Sequence, residues 1–169
     1  MISLPLIIAP DPVFRMTAEP VNEVDDQTRA EVKAMFDTLY REQGVGLGAN
    51  MVGLLKRIIV VDLQEEGKKA PLAMINPEIT KLSGETQTFE EASLSFPGIS
   101  ANVTRPGSID VAYLDTDGNS RSLEATGFLA TVIQHEIDYL DGRTYLDHLS
   151  AVKRNMLLKK MAKLKRSKL

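Results

Sequence analysis

The stretch QHEIDYLDGRTYLDHLS, residues 134–150, decides how the rest of the chain is read. Leu129, Val132, Ile133, Ile137 and Leu140 recur at helical spacing and Gly142 supplies a stop, so a helix is predicted from Thr126 or Gly127 to Asp141. On such a helix, residues four apart lie on one face, one turn above the other. The pattern H-E-x-x-H uses that geometry: two histidines converge on one metal ion, and the glutamate moves the proton of its bound water. Here the first two residues are His135 and Glu136, but the second histidine position is Tyr139. The helix therefore carries the frame of a metal site in which one nitrogen ligand has become a phenol.

Working outward, residues 44–53 read GVGLGANMVG, and the β-branched run Arg57–Leu63 follows. That pairing predicts a glycine-rich loop feeding a buried strand. Upstream, Val32, Met35, Phe36 and Leu39 mark a core helix over residues 25–43, with Asp25 or Asp26 as its cap and Gly44 after its end. Further strands are expected at Leu72–Ile75, Glu85–Glu90, Ser108–Leu114 and Arg121–Glu124, the last two joined by an Asp117-Gly118 hairpin turn. A third helix starts at Ala151, with Val152, Met156, Met161 and Leu164 set among lysines. Short antiparallel strands with segregated helices give an α+β class, and no repeat or linker divides residues 1–169.

Composition bounds the function. A chain of 169 residues with 43% hydrophobic content suits one globular domain. It holds no cysteine, which removes disulfides and the commonest ligand of small metal sites and leaves His135 and His148 as the only histidines. No apolar run approaches the ~18 residues of a membrane span, and Pro5 breaks the short stretch Ile2 to Ala9, so a cytoplasmic protein is expected. The net charge of −3 divides unevenly: residues 151–169 carry eight Lys or Arg and no acid, against 12 basic and 23 acidic residues in the body 1–150. An acidic body argues against DNA binding, whereas a basic helix can meet phosphates of an RNA-rich partner or simply be solvated.

The helix at 134–150 resembles the metal-binding helix of the peptide deformylases, and two more of that family's signatures have counterparts here. Against G-x-G-x-A-A-x-Q, the chain keeps Gly44, Val45, Gly46, Leu47 and Ala49 but has Gly48 for an alanine and Met51 for the glutamine. Against E-G-C-L-S, EASLS at 91–95 has Ala92 for the glycine and Ser93 for the cysteine. The segments APDPVFR at 9–15, VGLLKRIIVVDL at 52–63 and FPGISANVTRPGSIDV at 96–111 extend the resemblance to roughly nine-tenths of the chain.

In that family a cysteine and two histidines hold iron or zinc, whose water attacks the formyl group on an N-terminal methionine. The resemblance implies His135 as a retained ligand, Glu136 as the retained acid and base, and Ser93 and Tyr139 at the two lost ligand positions. It assigns the backbone N–H of Leu94 to the formyl oxygen and Gly46 and Arg105 to the peptide, while Met51 lacks the glutamine's donor. Simpler readings stand beside these: Glu136 as a hydrogen-bonded acid, Arg105 as a surface ion pair, His148 in a salt bridge, and the glycines as turn formers. Without a metal to lower the pKa of water from about 15.7 to about 7, hydroxide is about 12 kcal/mol harder to form. A lost oxyanion donor adds roughly 3–4 kcal/mol.

The implied protein is an impaired or inactive deformylase relative, with the family metal lost or weakly held and no cofactor expected. It would still bind formyl-Met peptides, or the ribosome through residues 151–169, and be monomeric. The alternative is a weak amide hydrolase with an unusual ligand set. Tyr139, longer than histidine, is expected to fill the metal volume with its hydroxyl on Ser93 or His135.

Overall fold

The computed structural model describes residues 4–167, so Lys168, the last base of the tail, lies outside the described residues. Helix α1 spans Asp26–Arg41, and Asp25 is its cap, accepting from the Thr28 amide at 2.9 Å. A five-stranded antiparallel sheet follows in the order β1 (Gly46–Gly48), β2 (Ile58–Val61), β3 (Leu72–Leu82), β6 (Ser108–Leu114), β7 (Ser120–Thr126). Strands β4 (Thr86–Ser93) and β5 (Phe96–Pro106) form a separate antiparallel pair. Helix α2 covers Gly127–Leu140 and α3 covers Ala151–Ser167. The class is α+β, as the sequence implied.

Three differences from the sequence reading have physical causes. Strand β5, which contains Pro97, Gly98 and Pro106, was not among the expected strands. It belongs to a two-stranded sheet, so each strand is an edge and tolerates a missing amide. Strand β3 runs on past Asn76-Pro77, where Asn76 takes a positive φ of 52° and the register shifts. The Asn76 side chain makes that kink affordable by pairing with the Val21 backbone, accepting at 2.8 Å and donating at 2.9 Å. Finally, the expected loop at 46–48 is strand β1, paired with residues 59–61 of β2.

Helix α2 was expected to have one apolar stripe, yet it is buried nearly all round. Ile133, Ile137 and Leu140 pack with Ile59, Val61 and Val111 in one cluster. Tyr139 belongs to the other, with Phe14, Leu47, Met51, Phe96 and Tyr145. Between these faces Thr131, Gln134, His135 and Glu136 are also buried, so polar groups on α2 must find partners inside the protein. In α3, Met161 is buried and Leu157 and Leu158 are half-buried, while Val152 and Met156 face outward among the bases. Ser150 starts it, its hydroxyl accepting from the Lys153 amide at 3.2 Å. Among the described residues no helix is long and apolar enough to cross a membrane.

Helix α2 ends where the chain passes close to residues 15–16. Gly142 takes φ +73°, and a Cβ there would lie 2.9 Å from the Arg15 carbonyl oxygen. Gly142→Ala is expected to destabilise the protein by about 1–3 kcal/mol, read as a lower urea midpoint at unchanged slope. An unaltered midpoint would mean that the helix end is not held against Arg15.

Candidate active site

Strand β4 ends at Ser93, turns at Leu94 and Ser95, and returns as β5. That turn brings Ser93 beside α2, where its Oγ lies 2.5 Å from Tyr139 Oη. The Ser95 amide also donates to Ser93 Oγ, at 3.2 Å. The Tyr139 ring is buried against Phe14 and His135, each with its ring centroid 5.6 Å away. Burial pushes the Tyr139 phenol well above its usual range, and the Ser93 hydrogen bond only partly opposes this. The phenol therefore stays neutral, and the two hydroxyls satisfy one another.

His135 is held from its other side. Its Nδ1 is 2.8 Å from Glu91 Oε1, and Tyr145 stacks on its ring at 5.4 Å. An ionised carboxylate only accepts, so Nδ1 carries the proton in this pair. Glu91 also takes two hydrogen bonds from Arg105, from Nε at 2.8 Å and from the second terminal nitrogen at 2.9 Å. Arg105 reaches further, to Asp138 Oδ2 at 2.9 Å, and Asp138 pairs with His148 at 2.8 Å. Burial raises the pKa of both carboxyls, but hydrogen bonds from His135 and Arg105 to Glu91, and from His148 and Arg105 to Asp138, outweigh it and hold them low. For His135, burial disfavours the charged ring, and the nearby Glu136 and Glu91 more than compensate, raising its pKa.

Glu136 has no such support. It is buried, its Oε1 has no hydrogen-bond partner among the described residues, and burial lifts its pKa to about 7 despite His135. Gly46 sits directly over it: a Cβ at residue 46 would be 2.6 Å from Glu136 Oε2 and 2.9 Å from Val132 Cγ1. Met51 is buried, and its sulfur accepts from the Gly48 amide at 3.3 Å. The neighbouring Asn50 donates to the Tyr139 carbonyl at 2.6 Å, tying this glycine-rich segment to the end of α2.

The family model for polypeptide deformylase matches residues 3–155. The chain belongs to the peptide deformylase family. A "peptide deformylase-like" protein of Rickettsia conorii is 57% identical over 94% of this chain and 86% of its own length. A peptide deformylase of Brucella suis is 48% identical over 95% and 92%. The peptide deformylase of Ehrlichia chaffeensis, solved in complex with actinonin, superposes with a TM-score of 0.93 at 38% identity, covering 98% of this chain and 99% of that one.

Within this deformylase fold, the three positions expected at the metal site do come together: His135 and Tyr139 on α2 face Ser93 at the end of β4. The expected Tyr139 hydroxyl bond is made to Ser93. Leu94 lies in the adjoining turn, its side chain against Gly44. Gly46 is required by close packing on Glu136, a reason that neither turn geometry nor peptide contact had suggested. Arg105 is 4% exposed, which corrects the alternative of a surface ion pair. Its guanidinium holds Glu91 and Asp138. His148 forms the expected salt bridge, with Asp138. Sequence reasoning passed over Glu91, Asp138, Asn50 and Tyr145. The available signal for Glu91 was its place as the unchanged first residue of a motif altered at the next two.

Arg105→Met would take the guanidinium from the buried Glu91 and the half-buried Asp138 and is expected to cost roughly 3–5 kcal/mol at pH 7. Glu91 and Asp138 have folded pKa values below their unfolded ones, near 4, so their contribution is complete above that range and lost as pH falls through the lower folded values. The stability gap between wild type and variant should therefore narrow from pH 7 to pH 3 in urea denaturation. A gap of constant size would refute the network as an ionic one.

Proposed function

We propose that this protein is a deformylase-fold protein impaired in deformylation, which binds peptide N-termini without efficient turnover. The observation that carries the reading is the hydrogen bond of 2.5 Å between Ser93 and Tyr139, at the positions where the family's signatures have cysteine and histidine. A neutral serine hydroxyl is a poor ligand, and a phenol must first lose a proton that burial here makes harder to remove. The donor set of Ser93, His135 and Tyr139 thus does not suit iron or zinc. Among the described residues, no group of three His, Cys, Asp or Glu side chains is placed to hold a metal ion. Met51 adds to the impairment: its sulfur is an acceptor where a transition-state oxyanion would need a donor.

What remains is a peptide-binding frame. Glu136 faces Gly46, and β4 from Glu90 to Ala92 flanks a recess beside α2. The basic helix α3 suits a second contact, with ribosomal phosphates, and a cytoplasmic monomer is the form in which both would operate. A weak hydrolase is the second reading, favoured by one observation: Glu136, with a pKa of about 7, has the value that suits a general base at neutral pH.

One experiment separates the two. Protein purified without chelator is analysed for metal by mass spectrometry and for formate release from a formyl-Met peptide, beside the Ser93→Cys, Tyr139→His double variant. The expected result is substoichiometric metal and background formate for the native chain, with metal regained in the double variant. Adding Met51→Gln to that variant should raise its turnover by about 10²–10³-fold. Stoichiometric metal with turnover abolished by Glu136→Gln would overturn the impaired reading and establish the hydrolase.

A further inference from the structure

A recess of about 60 Å³ opens between β4 and α2. Glu90, Ala92 and Phe128 stand at its exposed rim, and Val132, His135 and Glu136 form its buried floor. The charges around it are unequally matched. Glu91 is answered by Arg105 and His135, and Asp138 by Arg105 and His148. Glu136 borders the recess, is only 4% exposed, and has an Oε1 without a hydrogen-bond partner among the described residues. Glu90 adds a second carboxylate at the rim, in no ion pair among the described residues.

A buried acceptor left without a donor costs free energy that a ligand bearing N–H groups recovers. This recess is therefore built for a cationic donor. A formyl oxygen is itself an acceptor, and nearby Met51 already uses its sulfur to accept from Gly48. Size sets a further limit. The volume is on the order of two water molecules, enough for an ammonium group and a methyl-sized side chain but not for a methionine side chain. Phe128, packed on Phe89 with ring centroids 5.3 Å apart, is the wall that limits it.

We propose that this recess binds the free α-ammonium of a peptide whose first residue is small, such as alanine, glycine or serine, with Glu136 and Glu90 as counter-charges. The inference rests on the peptide-binding reading above and changes the ligand of that site from a formylated to an unblocked N-terminus.

The test is fluorescence anisotropy of the full chain with peptides labelled at the C-terminus. One series begins with alanine and carries a free, N-acetyl or N-formyl amine, and free Met and formyl-Met peptides accompany it. The free-amine alanine peptide should bind about tenfold more tightly than its blocked forms and than formyl-Met. Glu136→Gln should erase that preference. Phe128→Ala, which removes a side chain 40% exposed, should admit the free-amine Met peptide and so tests the size limit independently of the buried carboxyl. Equal or tighter binding of the formylated peptides would overturn the ammonium preference and leave the peptide-binding reading standing. Absence of binding by every peptide would overturn both.

Discussion

Arg105 reaches from β5 to Glu91 on β4 and to Asp138 on α2, and these contacts hold the second sheet against the central helix. A guanidinium this deeply buried is tolerable only because both carboxylates meet it with good geometry, and they in turn remain ionised because it is there. The same carboxylate, Glu91, sets the tautomer and orientation of His135. The spatial relation of Ser93, His135 and Tyr139 therefore depends on a side chain outside the three deformylase signatures.

On that support, three altered positions behave as one substitution. Exchanging a histidine for tyrosine lengthens the side chain and adds a hydroxyl, and exchanging a cysteine for serine supplies a partner of the right length and polarity. The resulting pair fills buried volume that would otherwise be a polar void, at 2.5 Å between the oxygens. Met51 completes the change by closing its own turn through Gly48, in place of presenting a donor to the site. Ser93 and Tyr139 hydrogen-bond to each other with little change in the fold, as the TM-score of 0.93 to the Ehrlichia chaffeensis deformylase indicates.

Glu136 departs from this internal satisfaction, and among the buried polar groups without a partner in the described residues it is the ionisable carboxyl. The neighbouring buried charges Glu91 and Arg105 answer one another, whereas Glu136 keeps an unfilled acceptor and a pKa of about 7. A buried group left in that state is the observation on which the proposed ammonium site rests. Its tight contact with Gly46 shows how closely β1 approaches α2 there.

Much of this was legible in the sequence. A cap at Asp25 or Asp26, the hairpin at Asp117-Gly118, the limits of β6 and the helix bearing His135 and Tyr139 all follow from local rules, because capping, turn conformation and periodicity act over a few residues; the structure decides the cap for Asp25. That a serine and a tyrosine, Ser93 and Tyr139, stand where the family's signatures have cysteine and histidine was legible too, since it depends on residue type alone. Strand β5 was not, because its prolines are tolerated only at the edges of a two-stranded sheet. Nor was the role of Gly46, Glu91 or Asp138, which depends on distances between segments that are far apart in the chain. Residue identity determined which donors and acceptors were available, and the tertiary structure decided which were spent on each other. Only packing could leave Glu136 unspent, because hydrogen-bond satisfaction is a property of neighbours in space.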